Sequence, residues 1–168
     1  MQIRDAIASD AHRIAQIHVT SWRAAYRGQM PDVVLDNLDV EKRAAFWRAH
    51  LNRQPTGTFL AELEGKIIGF CDLIRSRDQD SDPQIVAEIA AIYVDPDFWR
   101  QGTGRILCLR ALEAARHERF AAVTLWVLAS NTAARNFYQN MGFHLDGATK
   151  SESFAGRELQ EVRYRITV

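Results

Sequence analysis

The sequence predicts a mixed α/β (α+β) domain, and three observations lead there. Strand-like and helix-like runs follow one another in the order βααβββαβαββ. A helical run lies between two apolar strands, 84–94 and 122–127. A chain that leaves a strand, crosses a helix and returns runs in the same direction again, so these two strands are expected to be parallel. Between the first of them and the helix stands a loop with two glycines, Gly102 and Gly104, and two arginines, Arg100 and Arg105.

Each element has its own signal. Residues 2–6 read as a short strand. Ser9 or Asp10 can cap a first helix whose apolar positions Ile14, Ile17, Trp22 and Ala25 recur at helical spacing, and Gly28 and Pro31 end it. Asp39 can cap a second helix carrying Ala44, Trp47 and Leu51. Residues 58–63 and 66–74 flank Glu64-Gly65 and read as a hairpin, followed by a polar loop over 75–83. After the strand 84–94 come a helix from Thr103 to His117, the strand 122–127, and a helix over 132–141 closed by Gly142. Residues 143–145 and 159–167 read as the last strands.

Bulk properties narrow the function. A chain of 168 residues suits one domain, 1–168, with one sizeable core. Lys plus Arg and Asp plus Glu are both 21, so the formal charge is zero, without the basic excess of a nucleic-acid binder. No apolar run approaches the ~18 residues of a membrane span. The start, Met1-Gln-Ile-Arg-Asp5, has no apolar signal segment, and Cys71 and Cys108 read as buried thiols, which together suggest a cytoplasmic protein. The five histidines show no zinc spacing with the cysteines, so no metal site is expected.

The loop after the strand 84–94 is the chemically suggestive stretch. The first N–H groups of a helix have no intrahelical partner and the helix dipole favours negative charge there. Glycines let a ligand approach the backbone closely. The stretch therefore reads as a phosphate site. It is not a P-loop, because Gly104 is followed by Arg105 and Ile106 rather than Lys-Ser/Thr, and it is not a dinucleotide fingerprint, because position 107 is Leu.

A second segment, Asn131-Thr-Ala-Ala-Arg-Asn-Phe-Tyr-Gln-Asn-Met-Gly-Phe143, completes a pattern. Together the two segments resemble the GNAT superfamily of acetyl-CoA-dependent N-acetyltransferases. The family's Q/R-x-x-G-x-G/A loop falls on Trp99 to Gly104, with Trp99 in place of Gln or Arg, and its N-x-x-A-x-x-F-Y-x-x-x-G-F signature falls on Asn131, Ala134, Phe137, Tyr138, Gly142 and Phe143. The resemblance implies the GNAT fold: a central mixed, mostly antiparallel sheet whose parallel central strands splay apart, flanked by helices, with the pantetheine arm of coenzyme A in the gap.

It also implies roles. The pyrophosphate would sit on the N–H groups from Gln101 through Gly102, Thr103 and Gly104 to Arg105, with the Arg100 and Arg105 side chains near the phosphates. Ile92, Tyr93 and Val94 would pair with the pantetheine, and a backbone N–H near Ile92 would polarise the thioester. Asn131 and Ala134 would flank the arm, although Asn131 also reads as a plain helix cap. Tyr138 stands at the position that gives a proton to the departing thiolate. Glu88 lies in an otherwise apolar strand, where a carboxylate is rarely buried without a partner. It is either the base that takes the amine proton or half of a structural ion pair. His18, Trp22 and Tyr26 share a helix face, as acceptor lining or as core.

The expected activity is direct transfer of an acetyl group from acetyl-CoA to a primary amine. A small-molecule acceptor is expected, as no additional recognition domain is read from the sequence. A protein amine, a charged tRNA or a non-catalytic acyl-CoA sensor remain as alternatives, and a homodimer is compatible with the resemblance.

Overall fold

The computed structural model describes residues 1–53 and 57–168. A seven-stranded sheet runs through the molecule in the order β1-β2-β3-β4-β5-β7-β6. The strands are β1 (Gln2–Asp5), β2 (Gly57–Leu63), β3 (Lys66–Arg75), β4 (Val86–Val94), β5 (Ala122–Leu128), β6 (His144–Phe154) and β7 (Arg157–Thr167). The helices are α1 (Ala11–Tyr26), α2 (Asp32–Asp36), α3 (Val40–Leu51), α4 (Thr103–His117) and α5 (Thr132–Asn140). All neighbouring strands are antiparallel except β4 and β5, which are joined through the α4 crossover and are parallel.

The two faces of the sheet bury different helices. On one face Leu107, Cys108, Ala111, Leu112 and Ala115 of α4 pack on Leu73, Val123, Leu125 and Tyr164. On the other, Ile14 and Ile17 of α1 and Ala44 and Trp47 of α3 pack on Leu60 and Phe70. Both cysteines are buried and free, as expected, and burial pushes the Cys108 thiol up to about 12.

β4 carries an irregularity that positions the site. Asp72 of β3 pairs with Ala91 but Leu73 pairs with Ile89, so Ala90 is an extra residue. One added residue reverses the alternation of side chains beyond it. Ala87 and Ile89 accordingly pack with α4, whereas Ala91 and Tyr93 pack with α1 and α3.

The ends of the elements show where sequence expectation and structure part. Asp39 caps α3 as expected, its Oδ1 accepting from Glu41 N–H and Lys42 N–H. Asp10 does not cap α1. Its carboxylate instead receives two Arg4 bonds at 2.7 and 3.0 Å and the Ile7 N–H at 2.9 Å, tying β1 to the start of the helix. The five-residue α2 is an addition, too short for a helical period to mark it in the sequence. The last hairpin is a correction. β6 runs eleven residues, not the three of 143–145, and turns at Ala155-Gly156 directly into an eleven-residue β7. As the sheet's outer strand, β6 leaves most of its side chains exposed, so Ser, Lys and Glu alternate there with no apolar stripe to announce a strand.

Candidate active site

β4 and β5 are paired over only three residues, Val86–Ala122, Ala87–Val123 and Glu88–Thr124. Beyond Glu88 they diverge, and the gap opens into a cavity of about 700 Å³. Its β4 wall is formed by residues 89–94, and its opposite wall by Trp126 and Val127 of β5 and Ala134, Phe137 and Tyr138 of α5. The N-terminus of α4 closes one end.

The β4 wall presents backbone as well as side chains. Asp95 N–H bonds Ile68 C=O at 2.8 Å, and the alternation of an antiparallel ladder then turns the peptide groups of Ile92 and Val94 away from β3, towards β5. The Val94 carbonyl confirms the direction, accepting from Ser21 Oγ of α1 at 2.9 Å and from Trp99 Nε1 at 2.6 Å. Trp99, which departs from the family's loop pattern, thus uses its indole to tie the loop back onto β4.

The α4 end has the features of an anion seat. Gly102 precedes the helix at φ +85, and nothing lies within 4 Å of where its Cβ would stand. Arg100 also has positive φ, +61. The first helical bond runs from Ile106 N–H to Gly102 C=O, so the N–H groups of 103–105 have no partner within the helix. The Thr103 hydroxyl is buried with no hydrogen-bond partner among the described residues. An orphaned hydroxyl beside free N–H groups and an open glycine fits an anionic phosphate. Arg100 and Arg105 line the same end, although Arg105 Nη1 also reaches Met141 Sδ at 3.8 Å.

Of the residues expected to hold coenzyme, Ile92, Tyr93, Val94, Arg100, Gly102, Thr103, Gly104, Arg105, Asn131, Ala134 and Tyr138 all line the cavity. Gln101 does not. Its side chain turns back to the Asp97 carbonyl at 3.4 Å. Asn131 is at once lining and cap, its Oδ1 accepting from Ala134 N–H at 3.1 Å. Tyr138 is buried, and desolvation raises its hydroxyl well above the ordinary tyrosine range.

Glu88 is held away from the cavity. Its side chain is only 3% exposed, and Arg77 embraces it: Nη2 to Oε1 at 2.5 Å, Nε to Oε2 at 3.1 Å, and the Arg77 N–H to Oε2 at 3.3 Å. The carboxylate thus ties the loop after β3 to the sheet. The same loop is held again by Arg163 of β7, whose buried guanidinium meets Asp78, Asp80 and Asp146.

The α1 stripe divides. Tyr26 lines the cavity, with Ser21 and Gln29 beside it. His18 is core: it stacks on Tyr93 at 4.8 Å and accepts at Nδ1 from Trp47 Nε1 at 3.3 Å. Sequence reasoning passed over Ser21 and Trp126. The small residues Ser21, Ala24 and Ala25 at helical spacing on α1 were the available signal for the first. Among the described residues no cluster of His, Cys, Asp or Glu could hold a metal.

Comparison with known proteins agrees with this geometry. Residues 11–143 match the family described as Acetyltransferase (GNAT) family. The chain is 32% identical over 140 residues to an uncharacterised N-acetyltransferase, YuaI, of Bacillus subtilis, an alignment covering 82% of this chain and 76% of that protein. Among solved structures it resembles a ribosomal-protein-alanine N-acetyltransferase from Brucella melitensis, at TM-score 0.79 and 22% identity, covering all of both chains. It also resembles yncA, a putative acetyltransferase from Salmonella typhimurium with its cofactor acetyl-CoA, at TM-score 0.76 and 22% identity, covering 99% of this chain and 93% of that one.

Proposed function

The chain belongs to the acetyltransferase (GNAT) family, and from that premise we propose that it transfers an acetyl group from acetyl-CoA to a primary amine of a small molecule, directly, with donor and acceptor bound together. The observation that carries this reading is the cavity between β4 and β5. It has an anion seat at one end, strand backbone turned away from β3 along one wall and a buried phenol in the other.

The residues divide the work. The N–H groups of 103–105, the Thr103 hydroxyl and the Arg100 and Arg105 guanidiniums would hold the phosphates. The Ile92 peptide groups and the Val94 N–H would pair with the pantetheine as an added strand does, and the Ile92 N–H would draw charge from the thioester carbonyl. Acetyl-CoA supplies an activated acyl carbon to which the amine nitrogen bonds as the bond to sulfur breaks. Tyr138 Oη gives its proton to that sulfur. No cysteine lines the cavity, in keeping with transfer that passes through no acyl-enzyme. Ser21, Tyr26 and Gln29 line the α1 end, where the acceptor would sit.

Calorimetry with acetyl-CoA, coenzyme A and ATP tests the premise, and thiol release over a panel of small amines and N-terminal peptides tests the acceptor. Micromolar binding that prefers acetyl-CoA, followed by turnover of a small amine, is expected. Preference for ATP would remove the donor, and turnover of peptides alone would make the acceptor a protein.

A further inference from the structure

The cavity between β4 and β5 is lined from both faces of the sheet. Along β5, Leu125 and Val127 pack on the α4 side together with Ala134, Phe137 and Tyr138 of α5, whereas Leu128 packs with Trp22 and Tyr26 of α1. Successive side chains of a strand alternate, so Trp126 stands on the α1 face. Ala91 and Tyr93 of β4 belong to that face too. Trp126 is thus the β5 ring that meets whatever enters opposite the proposed thiolate donor, Tyr138.

The ring is held in place by more than packing. Trp126 Nε1 donates to Asp78 Oδ1 at 3.0 Å, and Asp78 Oδ2 accepts from Arg163 Nη1 at 3.0 Å. Arg163 stands directly across β7 from Trp126, is only 7% exposed, and also meets Asp80 and Asp146. The loop after β3 therefore fixes the plane of the indole. Lys150 Nζ lies 4.6 Å and Arg163 Cζ 5.5 Å from the ring centroid, and Lys150 is itself paired with Glu161 at 3.0 Å. The ring is already engaged by protein cations, and a further cation brought to it would meet their repulsion.

The rest of the α1 face offers a ligand no charge. Of the described lining residues only Arg100 and Arg105 are charged, both at the phosphate end. Gln29 has its amide engaged at both atoms, Nε2 donating to Ala25 C=O and Oε1 accepting from Ser130 Oγ, each at 2.9 Å. The Ser21 hydroxyl is given to Val94. What remains are the rings of Tyr26, Tyr93 and Trp126 and the small Ala24, Ala25 and Ala91. A second ammonium buried here would find no carboxylate.

Resting on the reading of the chain as an amine acetyltransferase, we propose that Trp126 is the specificity-determining residue of the acceptor site, that Asp78 positions it, and that the acceptor class is a primary monoamine with a flat, uncharged aromatic body that stacks on the indole. Such a body gains ring contacts that a short alkylamine lacks and avoids the cost of a second buried charge.

The test is kcat and KM for phenylethylamine, propylamine and diaminobutane, with the KM for acetyl-CoA and thermal unfolding measured alongside. The wild-type protein is expected to favour phenylethylamine over either other amine by roughly tenfold or more in kcat/KM. Trp126→Ala and Trp126→Leu should each cut the phenylethylamine-to-propylamine ratio by roughly fivefold or more, with the KM for acetyl-CoA nearly unchanged. A ratio cancels any loss of folded enzyme, and Leu keeps apolar volume at the site should the Ala variant unfold. Asp78→Ala should move the ratio the same way, and Asp78→Asn, whose Oδ1 can still accept the indole N–H, should restore it. A ratio unmoved by the Trp126 variants, including an equal loss with all three amines, marks a structural role and overturns the proposal. So does a wild-type preference for the diamine. An unmoved ratio in Asp78→Ala overturns the positioning role of Asp78. Failure of the wild-type protein to bind acetyl-CoA or to acetylate any amine would instead overturn the reading beneath it.

Discussion

Tyr138 is the residue whose chemistry is most constrained by its surroundings. Burial raises its hydroxyl above the ordinary range, so a free phenolate is costly at neutral pH. A phenol of that kind can give a proton to a sulfur only if it regains one in the same event. Tyr138→Phe keeps the ring that packs on Phe137 and Phe143 and removes only the proton. We expect kcat to fall at least tenfold, within the roughly 10²–10⁴-fold range of general acid–base effects, with acetyl-CoA affinity nearly unchanged. Stopped-flow measurement of the chemical step, with calorimetry for binding, checks both halves. Glu88 shows the limit of residue-scale reading. A carboxylate in the apolar run Ile85-Val-Ala-Glu-Ile-Ala-Ala announces a partner, because its burial alone would be too costly. It does not say whether that partner is a substrate or Arg77, eleven residues back across a polar loop.

At the scale of elements, the turn into α4 shapes the end of the cavity proposed to hold the phosphates. Gly102 sits at φ +85, a conformation in which a Cβ costs about 1–2 kcal/mol although open space surrounds it. Gly102→Ala should lower stability by roughly that amount, read by urea unfolding, and weaken acetyl-CoA several-fold by tilting the N–H groups of 103–105. Most elements were legible, because their signals are local: the caps, the 3.6-residue period of α1 and α4, the hairpin turn at Glu64-Gly65 and the two motifs. Most of the cavity lining contributed by the loop and α5 was legible for the same reason, since both segments carry their signature in sequence. What escaped depends on distant neighbours. The length of β6 follows from β7 lying beside it, not from an apolar stripe of its own. Trp126 reaches the cavity only because β5 leaves β4 after Thr124.

At the scale of the whole molecule, pH enters through buried histidine. Burial, reinforced by Arg43, lowers His18 from 6.5 to about 3, so the folded protein keeps it neutral where the unfolded chain would protonate it. The unfolded state then binds the extra proton, and stability is lost as pH falls from 6.5 towards 3, by roughly 4–5 kcal/mol at most at about 1.4 kcal/mol per unit. His50 has the opposite sign: the Asp72 bond raises it, so its contribution is present at low pH and lost as pH rises above its folded value. Asp10, lowered by Arg4, adds a loss only below about pH 4. The melting temperature should therefore drop between pH 6.5 and 4.5, and His18→Gln should flatten that drop, as calorimetric scans would show. The three-residue seam between β4 and β5 has a mechanical meaning for the same whole. It leaves one sheet drawn as two panels, β1–β4 and β5–β7–β6, stitched strand to strand along a short line at one edge, open at the other and backed by α4 across both. A ligand laid between them would act as mortar, adding contacts along the part of the seam where no strand-to-strand bonds run.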